Sequence, residues 1–103
     1  MRYMLLIYAN EASMATAPSD KTYEISAAYG AYTEALKKSG AWLAGDRLKP
    51  TQLATAVRTA NGKTNVLDGP YADTKEQFAG YFFVEAESLD EAIAWAKRCP
   101  SSK

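Results

Sequence analysis

Between positions 68 and 77 the chain concentrates groups able to do polar chemistry. The run reads Asp-Gly-Pro-Tyr-Ala-Asp-Thr-Lys-Glu-Gln and holds Asp68, Tyr71, Asp73, Lys75 and Glu76. A carboxylate at a strand end can serve as a general base or hold a cationic group. Asp68, Asp73 and Glu76 are therefore the candidate catalytic residues. The same side chains also suit backbone work. Asp before Gly commonly bonds nearby amides in a turn, and Asp73 with Glu76 has the spacing of a helix cap. Two carboxylates three apart offer fewer ligands than an oxygen-ligated metal site usually needs, so no metal is expected. Lys75 is either a solvated charge or an anchor for an anion. Tyr71 and Tyr81 are candidate ligand contacts, and the aromatic strand carrying Tyr81 could form an apolar pocket wall. The chain's many aromatics serve equally well as core and interface. Asp46 and Arg47 are adjacent in a predicted strand, so they occupy opposite faces. A charge of theirs inside a barrel must be paired or wet, which makes both candidates for ligand binding.

Composition removes other chemistries. There is no histidine among the 103 residues, so Ser-His-Asp and Cys-His catalysis cannot be assembled within one chain. Zinc and haem sites built on His are excluded with them, and the reading calls for no cofactor. Twelve basic residues balance 12 acidic ones. That gives no electrostatic footprint for direct nucleic-acid binding. The single cysteine, Cys99, cannot form an internal disulfide. It fits a reducing cytoplasm and reads as a buried structural thiol. The apolar run after Arg2 is stopped by Asn10 and Glu11, short for a secretion signal and far short of a membrane span.

These groups need elements to position them. Arg2 to Ala9 reads as a strand, apolar on both faces. Asn10 to Pro18 reads as a small-residue connection. A helix is expected from a cap at Ser19 or Asp20 to about Ser39, stopped by Gly40. Ile25, Tyr29, Tyr32 and Leu36 form its apolar stripe. Gly30 inside that helix costs stability, so a close approach by another element is expected there. Ala41 to Leu48 reads as a strand. Leu53 to Ala60 and Thr64 to Asp68 flank Asn61-Gly62, a strong hairpin signal. Asp73 to Glu76 suits a short capped helical turn, and Gln77 to Ala86 another strand apolar on both faces. Ser88 and Glu91 make a capping box. Leu89, Ala92, Ile93 and Ala96 mark the inner face of the helix that follows.

The order is β-α-β, a hairpin, then β-α. It predicts one α+β domain over residues 1–103, a ferredoxin-like antiparallel sheet with two helices on one face and an extra β-hairpin. Two helices cannot cover the second sheet face, yet the first and last strands are apolar there too. A homodimer packed sheet to sheet removes the mismatch.

Several segments resemble the YCII-related family, in particular its DGPF branch. They are Arg2-Tyr3-Met4-Leu5-Leu6-Ile7-Tyr8, Ala28 to Glu34, Leu43 to Pro50, the Asp68 to Gln77 run with Tyr71 where Phe is usual, and Gly80-Tyr81 with the helix to Pro100. The resemblance covers nearly the whole chain. It implies a dimeric α+β barrel in the bacterial cytoplasm, often encoded beside or fused to extracytoplasmic-function sigma factors. Most members have no established reaction. More distant relatives act on muconate-type compounds through a His-Asp pair, which a chain without His cannot reproduce. The family normally adds a strand after the last helix, and this chain stops at Lys103, so the C-terminal strand is expected to be lacking.

Two functions remain open at this point. One is a small-molecule-binding or accessory module linked to sigma-factor regulation. The other is a cofactor-free lyase or isomerase on a small acidic or aromatic-derived compound, using carboxylate acid/base chemistry. Neither calls for nucleic acid or a membrane as partner. Any pocket is expected between the sheet and the Asp68 to Gln77 loop, near the dimer seam.

Overall fold

Strand alternation sorts the N-terminal segment into two faces. In the computed structural model, which describes residues 1–69 and 75–102, Arg2–Ala9 forms β1. It pairs antiparallel with β5, Gln77–Glu85, and β5 pairs antiparallel with β2, Trp42–Arg47. The sheet order is β1-β5-β2. Among the described residues, the two remaining strands, β3 (Thr55–Ala60) and β4 (Lys63–Asp68), pair only with each other. Asn61 and Gly62 close their turn at φ 52° and 76°, the positive values that a tight two-residue hairpin requires. The chain is thus α+β with antiparallel sheets, an arrangement compatible with a ferredoxin-like fold with an inserted hairpin.

Directly opposed residues share a face, so the pairing defines two surfaces of the three-stranded sheet. Tyr3, Val84 and Trp42 form one row, and Leu5, Phe82 and Gly45 the next. This face packs against α2, Ser19–Ser39, and α3, Leu89–Arg98. The core there joins Tyr32, Leu36, Phe82, Val84, Trp95 and Cys99, with Leu36 and Val84 fully buried. Phe82 is the hub: the rings of Tyr32 and Trp42 meet it edge-on and that of Tyr29 stacks on it. The Tyr32 hydroxyl donates to the Trp95 carbonyl at 2.6 Å. Cys99 is buried, as the sequence suggested.

Among the described residues the other face has no covering layer. Its rows are Met4, Phe83 and Ala44, then Leu6, Tyr81 and Asp46, and the Tyr8 ring lies tilted against Phe78 at the end. Met4, Leu6 and Tyr8 are each about half exposed, at 51%, 53% and 49%. The molecule measures 47 × 38 × 18 Å, and its short dimension is that of one helix layer on one sheet.

Four local expectations need correction. Residues after Asn10 are not a plain connection but a short helix, α1, Glu11–Ala15. The Asn10 side-chain oxygen caps it, accepting from the Ser13 amide at 2.9 Å. Pro18 rather than Ser19 or Asp20 occupies the cap position of α2, its fixed φ suiting entry to a helix. The inner face of α3 is Ala92, Trp95 and Cys99, whereas Leu89 and Ile93 are 59% and 41% exposed. The large Trp95 ring, three residues from Ala92 and four from Cys99, rotates the buried stripe away from them. Gly30 makes no close approach either: a Cβ there would meet nothing within 4 Å.

That last point yields a prediction. Gly30→Ala is expected to stabilise the fold by roughly 0.4–1 kcal/mol, because it restricts the unfolded chain and adds helix propensity without a clash. Urea unfolding monitored by circular dichroism measures it, and a loss of stability would contradict the open space seen at this position.

The core also predicts an alkaline limit. Burial, with the Cys99 thiol nearby as a lesser cause, raises the Tyr29 and Tyr32 hydroxyls from 10.0 to about 12. The fold therefore favours their neutral forms. That contribution is complete below pH 10 and is lost as pH rises through about 12. Melting temperature should begin to fall above pH 10, with tyrosinate absorbance growing in step with unfolding. Tyr32→Phe should flatten the fall.

Candidate functional site

Three short segments converge beyond one end of β1. Asn10 follows that strand directly and caps α1, which sets the direction of Glu11. A 3₁₀ turn at Thr51–Leu53 leads from Pro50 into β3, and the start of β5 brings in Gln77. Glu11 ties the three together. Its carboxylate accepts from the Thr51 amide at 2.7 Å and from the Thr51 hydroxyl at 3.0 Å. Its own amide donates to the Gln77 side-chain oxygen at 2.9 Å. At this half-buried corner the two bonds to the carboxylate contribute about 1.5–3 kcal/mol each and the neutral one about 0.5–1.5 kcal/mol.

Beside this knot lies a cleft of about 520 Å³, lined by Asn10, Glu11, Ala12, Pro50, Gln52, Lys75 and Gln77. Its size falls in the range of small-molecule sites. Its polar groups are amides that can donate or accept, one carboxylate already engaged by Thr51, and the Lys75 ammonium. The set can hold a small polar molecule bearing an acidic group. Lys75 would supply the charge, and Asn10, Gln52 and Gln77 the directional hydrogen bonds.

The residues singled out from sequence are distributed around the molecule. Lys75 lines the cleft. Glu76 lies next to it, exposed in a bend before β5. Asp68 is exposed at the last position of β4, opposite Thr55 at the base of the hairpin. Asp46 and Tyr81 face each other across β2 and β5 on the uncovered sheet face. Arg47 pairs with Gly80 on the opposite face and is exposed, as alternation requires. Tyr71 and Asp73 lie outside the described residues, as does the first half of the expected helical turn. The described part of that turn, Lys75 and Glu76, is bent rather than helical.

Sequence reasoning missed Asn10, Glu11, Gln52 and Gln77 as lining residues. A signal existed for two of them. Asn10 followed by Glu11, Ala12 and Met14 is a cap before helix-favouring residues. Gln52 and Gln77 join them only through tertiary folding, since 24 residues of hairpin and loop separate the two glutamines.

No described helix is long and apolar enough to cross a membrane. The YCII-related domain matches residues 1–103 of the chain. An uncharacterized protein of Rhizobium meliloti (strain 1021) is similar, with 38% identity over 102 residues that span 94% of this chain and 78% of the relative.

Proposed function

This chain belongs to the YCII-related domain family, and from that premise we propose that it is a homodimeric module binding a small acidic molecule. The observation that carries the reading is the polar cleft formed by Asn10, Glu11, Gln52, Lys75 and Gln77. Lys75 and Gln77 belong to the Asp68 to Gln77 run, whose Asp-Gly-Pro start supports placing the chain in the DGPF branch. The dimer is supported by the uncovered sheet face, and sheet-to-sheet pairing would complete an α+β barrel. A role beside a sigma factor in the bacterial cytoplasm is the setting this branch suggests. In it the module reports a metabolite and contacts no nucleic acid itself.

The experiment is a thermal-shift and calorimetric screen of small aliphatic and aromatic carboxylates against wild type, Lys75→Ala and Asp68→Asn. A true ligand at a hundred times its Kd stabilises by about 2.7 kcal/mol. Lys75→Ala should remove that gain while leaving the unliganded melting temperature near wild type. Binding unchanged in Lys75→Ala would move the site elsewhere. Chemical conversion of a bound probe would favour a cofactor-free lyase or isomerase instead, with Asp68, Asp73 and Glu76 as the carboxylates to replace.

A further inference from the structure

The β3–β4 hairpin is the least covered part of the described chain. Among the described residues its strands pair with nothing else, and every position from Thr55 to Asp68 except Ala56 is exposed. A lone two-stranded hairpin is marginal in water. Its two faces differ. One carries Ala56 and Leu67, Arg58 and Asn65, then Ala60 and Lys63. The other carries Thr55 and Asp68, Val57 and Val66, then Thr59 and Thr64. On this second face the Thr59 and Thr64 hydroxyls bond each other at 2.9 Å, and Val57 and Val66 are 66% and 65% exposed. Apart from Asp68 at its base, it is a flat, uncharged, β-branched surface of the kind that packs against protein.

The extended shape agrees. The radius of gyration is 16.2 Å, against roughly 13 Å for a compact chain of this length. Area identifies the occupant. Three strands spaced about 4.8 Å apart and rising about 3.3 Å per residue present a face on the order of 350 Å². A standard interface takes about 800 Å² from each partner. The open sheet face therefore falls short of a stable dimer by itself, and the hairpin holds the additional exposed apolar surface.

We propose that the hairpin is a dimerisation arm whose Val57 and Val66 face is covered by a second copy of this chain. The proposal rests on the homodimer reading above and adds which element secures it. In a two-fold dimer each copy gives and receives one arm, so the contact counts twice.

The test is sedimentation over a concentration series on the full chain, paired with hydrogen exchange at concentrations above and below the dimer Kd. Val57→Lys with Val66→Lys should raise the dimer Kd roughly tenfold or more. The shape-conserving pair Val57→Thr and Val66→Thr should raise it less. Asn65→Lys on the opposite hairpin face should leave it unchanged. In wild type, amides of β3 and β4 should gain protection as the dimer forms, while those of α2 and β5 stay protected throughout. A dimer whose hairpin amides exchange freely, or one indifferent to both valine pairs, overturns the arm and leaves the sheet-face dimer standing. A wild-type monomer at every concentration overturns both.

Discussion

Leu6→Glu is expected to turn the proposed homodimer into a monomer at micromolar concentration. Leu6 lies at the centre of the uncovered sheet face, in the row with Tyr81 and Asp46, and is 53% exposed in the single chain. Covering the exposed half of this leucine contributes about 0.8–1.5 kcal/mol, and two-fold symmetry removes the contact twice. The sum corresponds to a roughly 10- to 150-fold rise in Kd. The unpaired carboxylate buried in its place adds to that. Glutamate is the stronger test because a lysine at this position could pair with Asp46 in the same row. The helix-covered face is untouched, so the secondary structure of the variant should match wild type. Sedimentation equilibrium reads the outcome, and a variant that dimerises like wild type would remove the sheet face from the interface.

Leu36→Ala should carry a large stability cost. Leu36 is fully buried in the cluster that holds Tyr32, Phe82, Val84 and Trp95. Its carbonyl also accepts from the Gly40 amide that ends α2, at the left-handed φ of 79°. Removing the side chain leaves a cavity among rings that cannot all collapse into it, at a cost of about 2–5 kcal/mol. For a domain of this size that lowers the melting temperature by roughly 10–30 °C. The stability of a small domain is only about 5–15 kcal/mol, so the variant is expected to be marginal at 37 °C. Leu89→Ala, at a position 59% exposed, should cost far less. Equal losses at both positions would mean that the inner face of α3 has been assigned to the wrong stripe.

Local rules made much of the fold legible. Short apolar runs bounded by polar and turn residues marked β1 and β5, the Asn61-Gly62 pair marked the hairpin, and the stripe through Tyr29, Tyr32 and Leu36 marked α2. Ser88 and Glu91 announced α3, although the Glu91 carboxylate bonds the Glu87 amide rather than that of Ser88 itself. Each of these signals depends on residues within a few positions of one another. The failures came where several neighbours compete for one face. Leu89 and Ile93 are as apolar as the residues that are buried, and only the place Trp95 takes beneath Tyr32 decides which stripe of α3 turns inward.

The candidate site divides the same way. Sequence by itself determined that His-based chemistry is absent, that polar groups crowd positions 68–77, and that Asp46 and Arg47 part to opposite faces. It could not show that Lys75 and Gln77 meet Asn10, Glu11 and Gln52, because that meeting depends on β1 and β5 lying antiparallel with Ala9 opposite Gln77. It did foresee that one apolar face of the sheet stays open, but not that one uncharged face of the hairpin does. Hydrophobic patterning states which surfaces need covering, and only the arrangement of two helices on one side of three strands decides which remain uncovered.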